Sequence, residues 1–191
     1  MTIKKSIQEF TLHCKMEKNL SIKTRKAYGT DLLQFSNFIR EKTEINTIDR
    51  VDIRQFLGSM DQLTAKTIKR KIATIKSFFN YLEFEDKITI NPFRKMRIRI
   101  KEEKKLPSVM SITEISRILR QVYLKQSQLP SSSYGQFESL RNIIVIELLF
   151  NTGARVSEIA NLKAEHIQLD SGTILIKGKG NKERILHICN R

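Results

Sequence analysis

Cysteine and histidine are scarce in this sequence of 191 residues. Cys14 and Cys189 are few and far apart in the chain, so they indicate neither a disulfide framework nor a zinc site. His13, His166 and His187 show no spacing typical of metal ligands. The sequence therefore predicts no metal centre.

Long apolar segments are also missing. The run from Ile143 to Phe150 is apolar but too short to span a bilayer, and a buried helix is the better interpretation. The amino terminus, MTIKKSIQEF, lacks the apolar core of a signal peptide. We therefore expect a cytoplasmic protein that does not bind a membrane.

Acidic residues are outnumbered, with 20 Asp and Glu against 35 Lys and Arg, which gives a net charge of +15. A basic excess of this size indicates an anionic polymer as partner, nucleic acid before membrane. The alternative is a surface that is basic throughout and only solvated. Residues 94–105 alone hold seven Lys and Arg against two acids, and this local concentration favours a chain that contacts a polyanion.

Apolar residues at helical spacing predict four helices in the first half of the chain. They cover residues 3–18, 22–42, 51–60 and 64–85. Ser21 and Asp49 are the predicted N-caps of the second and third helices.

The fourth predicted helix has two different faces. Its apolar stripe consists of Ile68, Ile72, Ile75, Phe79 and Leu82. The other face carries Lys66, Thr67, Lys69, Arg70, Lys76 and Ser77. This pattern is typical of a helix that docks against DNA, although a solvated basic face explains it equally well when taken alone. The second predicted helix also begins with cations, at Lys23, Arg25 and Lys26.

Asn91-Pro92 closes this first unit, and residues 94–107 are predicted to be a basic linker. Its cations, among them Arg97 and Arg99, are expected to lie on phosphates, where each neutralised charge makes binding more dependent on salt.

A second unit is predicted to open with a capping box, Ser111-Ile112-Thr113-Glu114. A flexible loop is predicted at 126–137, followed by a central buried helix at 140–150 and a short helix at 156–162. Strands are predicted at Ile167, 173–177 and 185–188, with turns at 170–172 and 178–181.

Three residues in the second unit are candidates for phosphate chemistry. Arg155 follows a turn and precedes a short helix, so its planar guanidinium could hold two phosphate oxygens. Glu158, one turn later, could orient Arg155 by an ion pair. Lys179 lies in the Gly-flanked hairpin turn, from which an ammonium can protonate a leaving oxygen. The alternatives are a structural ion pair and a turn with solubilising charge.

The segments TGARVSEIANLKAEHI and ILIKGKGNKERIL closely resemble the tyrosine recombinases of the phage-integrase family, in particular Xer-like members. Upstream, SIKTRKAYGTDLLQFSNFI and TIKRKIATIKSFFNYL are similar to the helical core-binding domain of that family. The resemblance implies a mainly α chain: a SAM-like, four-helix DNA-binding domain at 1–93, the basic linker at 94–107, and the N-terminal part of an α+β catalytic domain at 108–191.

The resemblance also implies roles for individual residues. Arg155 matches the first catalytic Arg, Glu158 the neighbouring acidic residue and Lys179 the hairpin Lys, acting on a DNA phosphate without metal or other cofactor. The expected partners are double-stranded DNA and other recombinase protomers. The expected DNA-binding residues are Lys23, Thr24, Arg25, Tyr28, Lys66, Thr67, Lys69, Arg70, Arg97, Arg99, Lys182 and Arg184.

The family's H-x-x-R box and nucleophilic Tyr lie beyond the hairpin, whereas this sequence stops at Arg191. Its four tyrosines, at positions 28, 81, 123 and 134, all precede Arg155. The family breaks and rejoins DNA, but we expect these 191 residues alone to bind DNA without cleaving it, because covalent catalysis needs its nucleophile. The alternative hypothesis is a non-catalytic DNA-binding regulator or a dominant inhibitor of a full-length recombinase. An exposed apolar surface is expected on the second unit.

Overall fold

The computed structural model describes residues 1–39, 44–103, 106–130, 134–178, 180 and 182–188. The chain divides into two units, Met1–Lys105 and Leu106–Arg191. No helix within the described ranges is both long and apolar enough to cross a membrane.

The described residues of the first unit form four α-helices. They are α1 (Ile3–Met16), α2 (Ile22–Phe38), α3 (Arg50–Gly58) and α4 (Ala65–Phe84), with a short 3₁₀ turn at Ile45–Thr47. Polar side chains cap them as expected: the Ser21 hydroxyl accepts from the Thr24 N–H at 3.2 Å, and the Asp49 carboxylate accepts from the Val51 N–H at 2.7 Å. The predicted caps of α2 and α3 are confirmed.

Aromatic side chains dominate the core of this unit. Phe10 of α1 meets Phe78 of α4 edge to face at 5.5 Å, and Phe35 of α2 meets Phe56 of α3 in the same way at 5.2 Å. Phe10, Phe35, Phe78 and Phe79 are all fully buried. The helices therefore enclose one continuous apolar centre.

Several predictions for this unit need correction. Helix α1 ends at Met16 instead of 18, and α3 covers Arg50–Gly58 instead of 51–60. Helix α2 ends at Phe38, earlier than the predicted 42, because Ile39 leaves the helical conformation; residues 40–43 lie outside the described residues. The inner face of α4 includes Lys71 and Thr74, which are 6% and 0% exposed, although its sequence pattern predicts apolar residues there.

In the part of the second unit that the structure describes, three helices pack with a small sheet. The helices are α5 (Ile112–Ser127), α6 (Tyr134–Thr152) and the short α7 (Val156–Ile159). Strands β1 (Ile167–Gln168), β2 (Thr173–Lys177) and β3 (Glu183–His187) form an antiparallel sheet in the order β1-β2-β3. The predicted capping box of α5 is confirmed, with Ser111 and Glu114 bonding each other's backbone N–H.

Alternation along β2 places Ile174 and Ile176 in the core of the second unit, at 2% and 1% exposure. Ala154 and Ile159 are buried in the same cluster. Partly buried side chains from α6 and the sheet pack against them. This cluster lies directly beneath the turn that carries Arg155.

Helix α6 is less enclosed than its sequence predicts. It begins at Tyr134 and α5 continues to Ser127, so the predicted loop at 126–137 is wrong at both ends; residues 131–133 lie outside the described residues. The central buried helix predicted at 140–150 is also wrong in part, because Leu140, Ile144 and Phe150 are 44–47% exposed. The expected exposed apolar surface on this unit is confirmed. The ends of α7 and β3 differ from the predicted 156–162 and 185–188, since α7 stops at Ile159 and β3 covers Glu183–His187.

Candidate functional site

Arg155 is held in a defined turn between α6 and α7. Gly153 has a φ of 61°, a left-handed conformation that glycine adopts without strain, and it ends α6. Ala154 is then buried, at 6% exposure, and Arg155 is extended with φ −74° and ψ 147°. The side chain of Arg155 is 73% exposed. The turn thus presents a guanidinium to solvent from an anchored backbone.

The carboxylate of Glu158 is the centre of the site. Its side chain is only 4% exposed, and it accepts four hydrogen bonds. From Arg155, Oε1 accepts Nη1–H at 2.8 Å and Oε2 accepts the backbone N–H at 2.9 Å. From Arg184 on β3, Oε1 accepts Nη1–H at 3.1 Å and Oε2 accepts Nη2–H at 2.7 Å. The predicted Arg155–Glu158 ion pair is confirmed.

These contacts strongly favour the ionised form of Glu158. The fork from Arg184, followed by the backbone N–H and the guanidinium of Arg155, lowers the pKa of Glu158 from 4.5 to about 2. The carboxylate is therefore ionised throughout the physiological range. Two guanidiniums around one carboxylate leave the cluster with a single net positive charge, which suits an anionic ligand.

The neck of the β2–β3 hairpin approaches this carboxylate closely. The Gly178 N–H donates to the Lys182 carbonyl at 2.7 Å and closes the neck. A Cβ placed on Gly178 would lie 3.3 Å from Glu158 Oε1 and 3.4 Å from the Lys182 carbonyl oxygen. A side chain at position 178 would therefore crowd the Glu158 carboxylate, and glycine leaves room for the close approach. Lys182 is exposed, and Lys179 lies outside the described residues.

Three cations of α4, at Lys69, Arg70 and Lys71, are paired with acids inside the first unit. The Lys69 ammonium lies 2.7 Å from the Glu102 carboxylate. The Arg70 guanidinium is bonded to Asp31, a fully buried carboxylate of α2. Asp31 also accepts from the Lys71 ammonium and the Thr74 hydroxyl, each at 3.1 Å. Lys66 is exposed, and Thr67 bonds to the cap residue Thr64.

The first turn of α2 is held by local bonds. Lys23 is exposed, whereas the Thr24 hydroxyl bonds to Ser21 at 2.9 Å. The Arg25 Nε–H donates to the Leu20 carbonyl at 3.1 Å. Tyr28 stacks on Phe10 with 6.0 Å between ring centroids, so this ring contributes to the core.

Arg97 and Arg99 are exposed and border a cleft of about 330 Å³ together with Lys76. The apolar lining of the cleft is Ile72, Phe93, Met96 and Ile98. Three cations therefore surround an apolar floor on the surface of the first unit. Within the described ranges, no group of His, Cys, Asp and Glu is arranged to hold a metal.

Sequence reasoning missed several of these contacts. It assigned Arg184 to DNA, although its fork is directed at Glu158. It did not find Asp31 as the partner of Arg70 and Lys71, or Glu102 as the partner of Lys69. All of these pairs join residues distant in sequence. An acidic residue within a helix otherwise read as amphipathic is the only signal that the sequence offers for Asp31.

The two units define the class: a helical SAM-like domain followed by part of an α+β recombinase catalytic domain. The family model for the phage integrase N-terminal SAM-like domain matches residues 7–86. The model for the phage integrase family matches residues 124–191. The chain belongs to the tyrosine recombinase family of phage integrases, and Xer recombinases are among its relatives.

The relatives agree over most of this chain. A tyrosine recombinase of Agathobacter rectalis is 40% identical over 185 residues, covering 96% of this chain and 60% of the relative. The tyrosine recombinase XerC of Syntrophus aciditrophicus is 36% identical, with 95% and 59% covered. The chain thus spans about 60% of the length of the curated relatives it matches.

Solved structures show the same fold. The XerH site-specific recombinase bound to difH substrate, in a pre-cleavage complex, is 28% identical with a TM-score of 0.59, covering 91% of this chain and 49% of that one. The Tn1549 transposon integrase in complex with circular intermediate DNA is 15% identical with a TM-score of 0.65, covering 99% and 61%.

Proposed function

We propose that this chain binds duplex DNA and presents Arg155 to a backbone phosphate at which a tyrosine recombinase acts. One observation carries the proposal: Arg155 is 73% exposed while its guanidinium is fixed at 2.8 Å on the buried Glu158. A fixed planar fork can bind two phosphate oxygens at once, and its orientation is set before the ligand arrives. Glu158 has the role of positioning this fork.

The first unit supplies the larger part of the affinity in this proposal. Exposed cations at Lys23, Lys66, Arg97 and Arg99 contact phosphates, and Lys69 and Arg70 contribute where their acidic partners release them. The division into a DNA-binding domain at 1–93, a linker at 94–107 and a catalytic part at 108–191 belongs to the same proposal, as do Lys179 and Lys182. DNA-bound structures of XerH and the Tn1549 integrase support this choice of ligand.

Binding is tested by fluorescence anisotropy with a labelled duplex across a salt series. The expected result is a steep loss of affinity with salt, because each phosphate contact releases counterions. The control variant is Arg141→Gln, which removes an exposed cation that pairs with Glu138 at 3.2 Å. Binding that is independent of salt, or equal for a neutral polymer, contradicts the proposal.

The finer part of the proposal is that these 191 residues bind DNA without cleaving it. Tyr28 and Tyr81 pack in the core of the first unit, and the Tyr123 hydroxyl donates to Glu147. Incubation with a nicked suicide duplex, followed by denaturing electrophoresis, is expected to give no covalent protein–DNA adduct. Any adduct formed by these residues alone contradicts it.

A second candidate is a DNA-binding regulator or dominant inhibitor of a full-length recombinase. Within these 191 residues all four tyrosines precede Arg155, and this observation supports the second candidate, because residues 1–191 by themselves could occupy a DNA site without reacting there. Adding this chain in increasing amounts to a full-length relative on its own site is expected to reduce recombination. Arg97→Gln and Arg99→Gln should weaken the inhibition together with DNA binding.

A further inference from the structure

We propose that Arg184 is a positioning residue: it fixes the carboxylate of Glu158 and thereby leaves Arg155 available for the phosphate. This inference rests on the proposed function, since it concerns how the same site is kept ready. It replaces the sequence-based assignment of Arg184 as a DNA contact.

Both terminal nitrogens of the Arg184 guanidinium already donate hydrogen bonds to Glu158. Its Nη1 and Nη2 donate to the two oxygens of Glu158 at 3.1 and 2.7 Å, so the guanidinium and the carboxylate form a fork-to-fork pair. The Glu158 side chain is 4% exposed and cannot turn into solvent to release it. A phosphate at Arg184 would have to compete with a buried carboxylate in direct contact.

Arg184 also determines how Arg155 uses Glu158. Among the described contacts, the Arg155 side chain reaches this carboxylate through Nη1 alone, at 2.8 Å, because Arg184 takes part in bonding both oxygens. Without Arg184, the unshared carboxylate would attract Arg155 into the fork itself. The cluster would then lose its net positive charge, and the donors of Arg155 would turn from the phosphate to Glu158.

The position of Arg184 on the sheet links this pairing to the hairpin. Arg184 on β3 lies opposite Ile176 on β2, and Ile176 is 1% exposed in the core. The hairpin neck at Gly178 lies against the same carboxylate. Lys179 is the next residue in the sequence. One ion pair therefore connects the strand that returns from the hairpin to the turn that holds Arg155.

The test compares Arg184→Lys and Arg184→Met with Arg155→Gln and the double variant Arg155→Gln/Arg184→Met. Lysine keeps the charge but cannot form the fork. A positioning role predicts that Arg184→Lys loses nearly as much DNA affinity as Arg184→Met. It also predicts that the double variant binds within about twofold of Arg155→Gln, because residues acting through one interaction are not additive. The charge-matched control is Lys182→Met, whose loss should add to that of Arg155→Gln.

A direct phosphate contact by Arg184 predicts the opposite pattern. Arg184→Lys would then retain clearly more affinity than Arg184→Met, because the ammonium keeps the charge that contacts phosphate. The losses would multiply in the double variant, and each removed cation would lower the salt slope by about 1. This result overturns the inference. Circular dichroism and thermal melts establish that each variant is folded, and Arg184→Lys keeps the test decisive if Arg184→Met does not fold.

A readout without DNA separates this inference from the proposed function. Carboxyl ¹³C NMR should follow Glu158 from a pKa of about 2 towards its ordinary 4.5 in Arg184→Met. The guanidinium signals of Arg155 should shift in the same variant. Unchanged Arg155 signals overturn the inference even where the chain binds DNA. Wild-type protein that binds no DNA while the NMR shifts occur overturns the proposed function alone.

Discussion

The ammonium of Lys69 lies 2.7 Å from the carboxylate of Glu102, which is 33 residues further along the chain. A residue of the basic segment therefore neutralises a cation of the α4 surface that the sequence pattern assigns to DNA. The Lys69 pairing lowers the pKa of Glu102, so this acid remains ionised near neutral pH. A phosphate that approaches Lys69 has to displace Glu102.

Glu102→Gln should increase affinity for duplex DNA, because the competing charge is removed while the size of the side chain is kept. An exposed ion pair contributes up to about 1 kcal/mol, so the gain should reach at most about fivefold at low salt. Glu103→Gln is the matched control, since it removes an equal charge at the next, exposed residue. Equal gains for both variants would mean that only net charge matters.

Asp31→Ala should strongly destabilise the first unit. The substitution leaves Lys71, which is 6% exposed, as a buried cation without its carboxylate. Breaking a buried ion pair on one side costs about 3–5 kcal/mol in the free energy of unfolding. Urea unfolding followed by circular dichroism measures it. Asp61→Ala, at an exposed position, should change stability by less than about 0.5 kcal/mol.

The contribution of Glu158 to stability should depend on pH in the acid range. Its pKa is lowered to about 2 in the folded chain from an ordinary 4.5, so the ionised form stabilises the fold above pH 4.5. This contribution is lost as the pH falls through about 2. The difference in unfolding free energy between wild type and Glu158→Gln should be constant from pH 5 to pH 8 and shrink below pH 4.5. A constant difference down to pH 2 would contradict the pairing.

Gly29→Ala and Gly153→Ala should have opposite effects on stability. Neither added Cβ meets an atom within 4 Å, and the two positions differ in backbone conformation. Gly29 lies within α2, where alanine should raise the unfolding free energy by about 0.5–1 kcal/mol. Gly153 has a φ of 61°, where alanine should lower it by about 1–2 kcal/mol. Thermal melts of the two variants measure the contrast.

Amide hydrogen exchange should be slower in the first unit than in the second. Helix α4 packs Ile75, Phe78, Phe79 and Leu82 into a buried core, whereas only Ser139 and Ile143 are buried in α6. Local opening needs less free energy where fewer apolar contacts are broken. Equal protection of α4 and α6 would contradict this expectation.

Local signals in the sequence predict much of the fold. Polar caps at Ser21, Asp49 and Ser111 mark helix starts, because the bonds that they form span only two or three residues. The ion pair of Arg155 and Glu158 is predictable for the same reason, since one helical turn separates them.

Contacts between distant residues are not predictable in this way. Asp31 and Lys71 are 40 positions apart, and Glu158 and Arg184 are 26 apart. Helical periodicity indicates the face of α4 on which a residue such as Arg70 or Lys71 lies. It does not indicate which carboxylate that residue contacts. The exposure of apolar residues on α6 is also not predictable from periodicity. A helix that is apolar nearly all round predicts burial, and this pattern carries no information on which neighbours are present.

The buried carboxylate of Asp31 restricts the rotation of α4 about its own axis. Consecutive residues of a helix are about 100° apart around its axis, so turning α4 by one position would carry Lys71 and Thr74 away from Asp31. The observed rotation brings the donors of Arg70, Lys71 and Thr74 to that one carboxylate. A residue without solvent contact thus fixes the rotation of α4 about its axis. The same contact therefore determines the direction in which Lys66 and Lys69 leave the surface of the first unit.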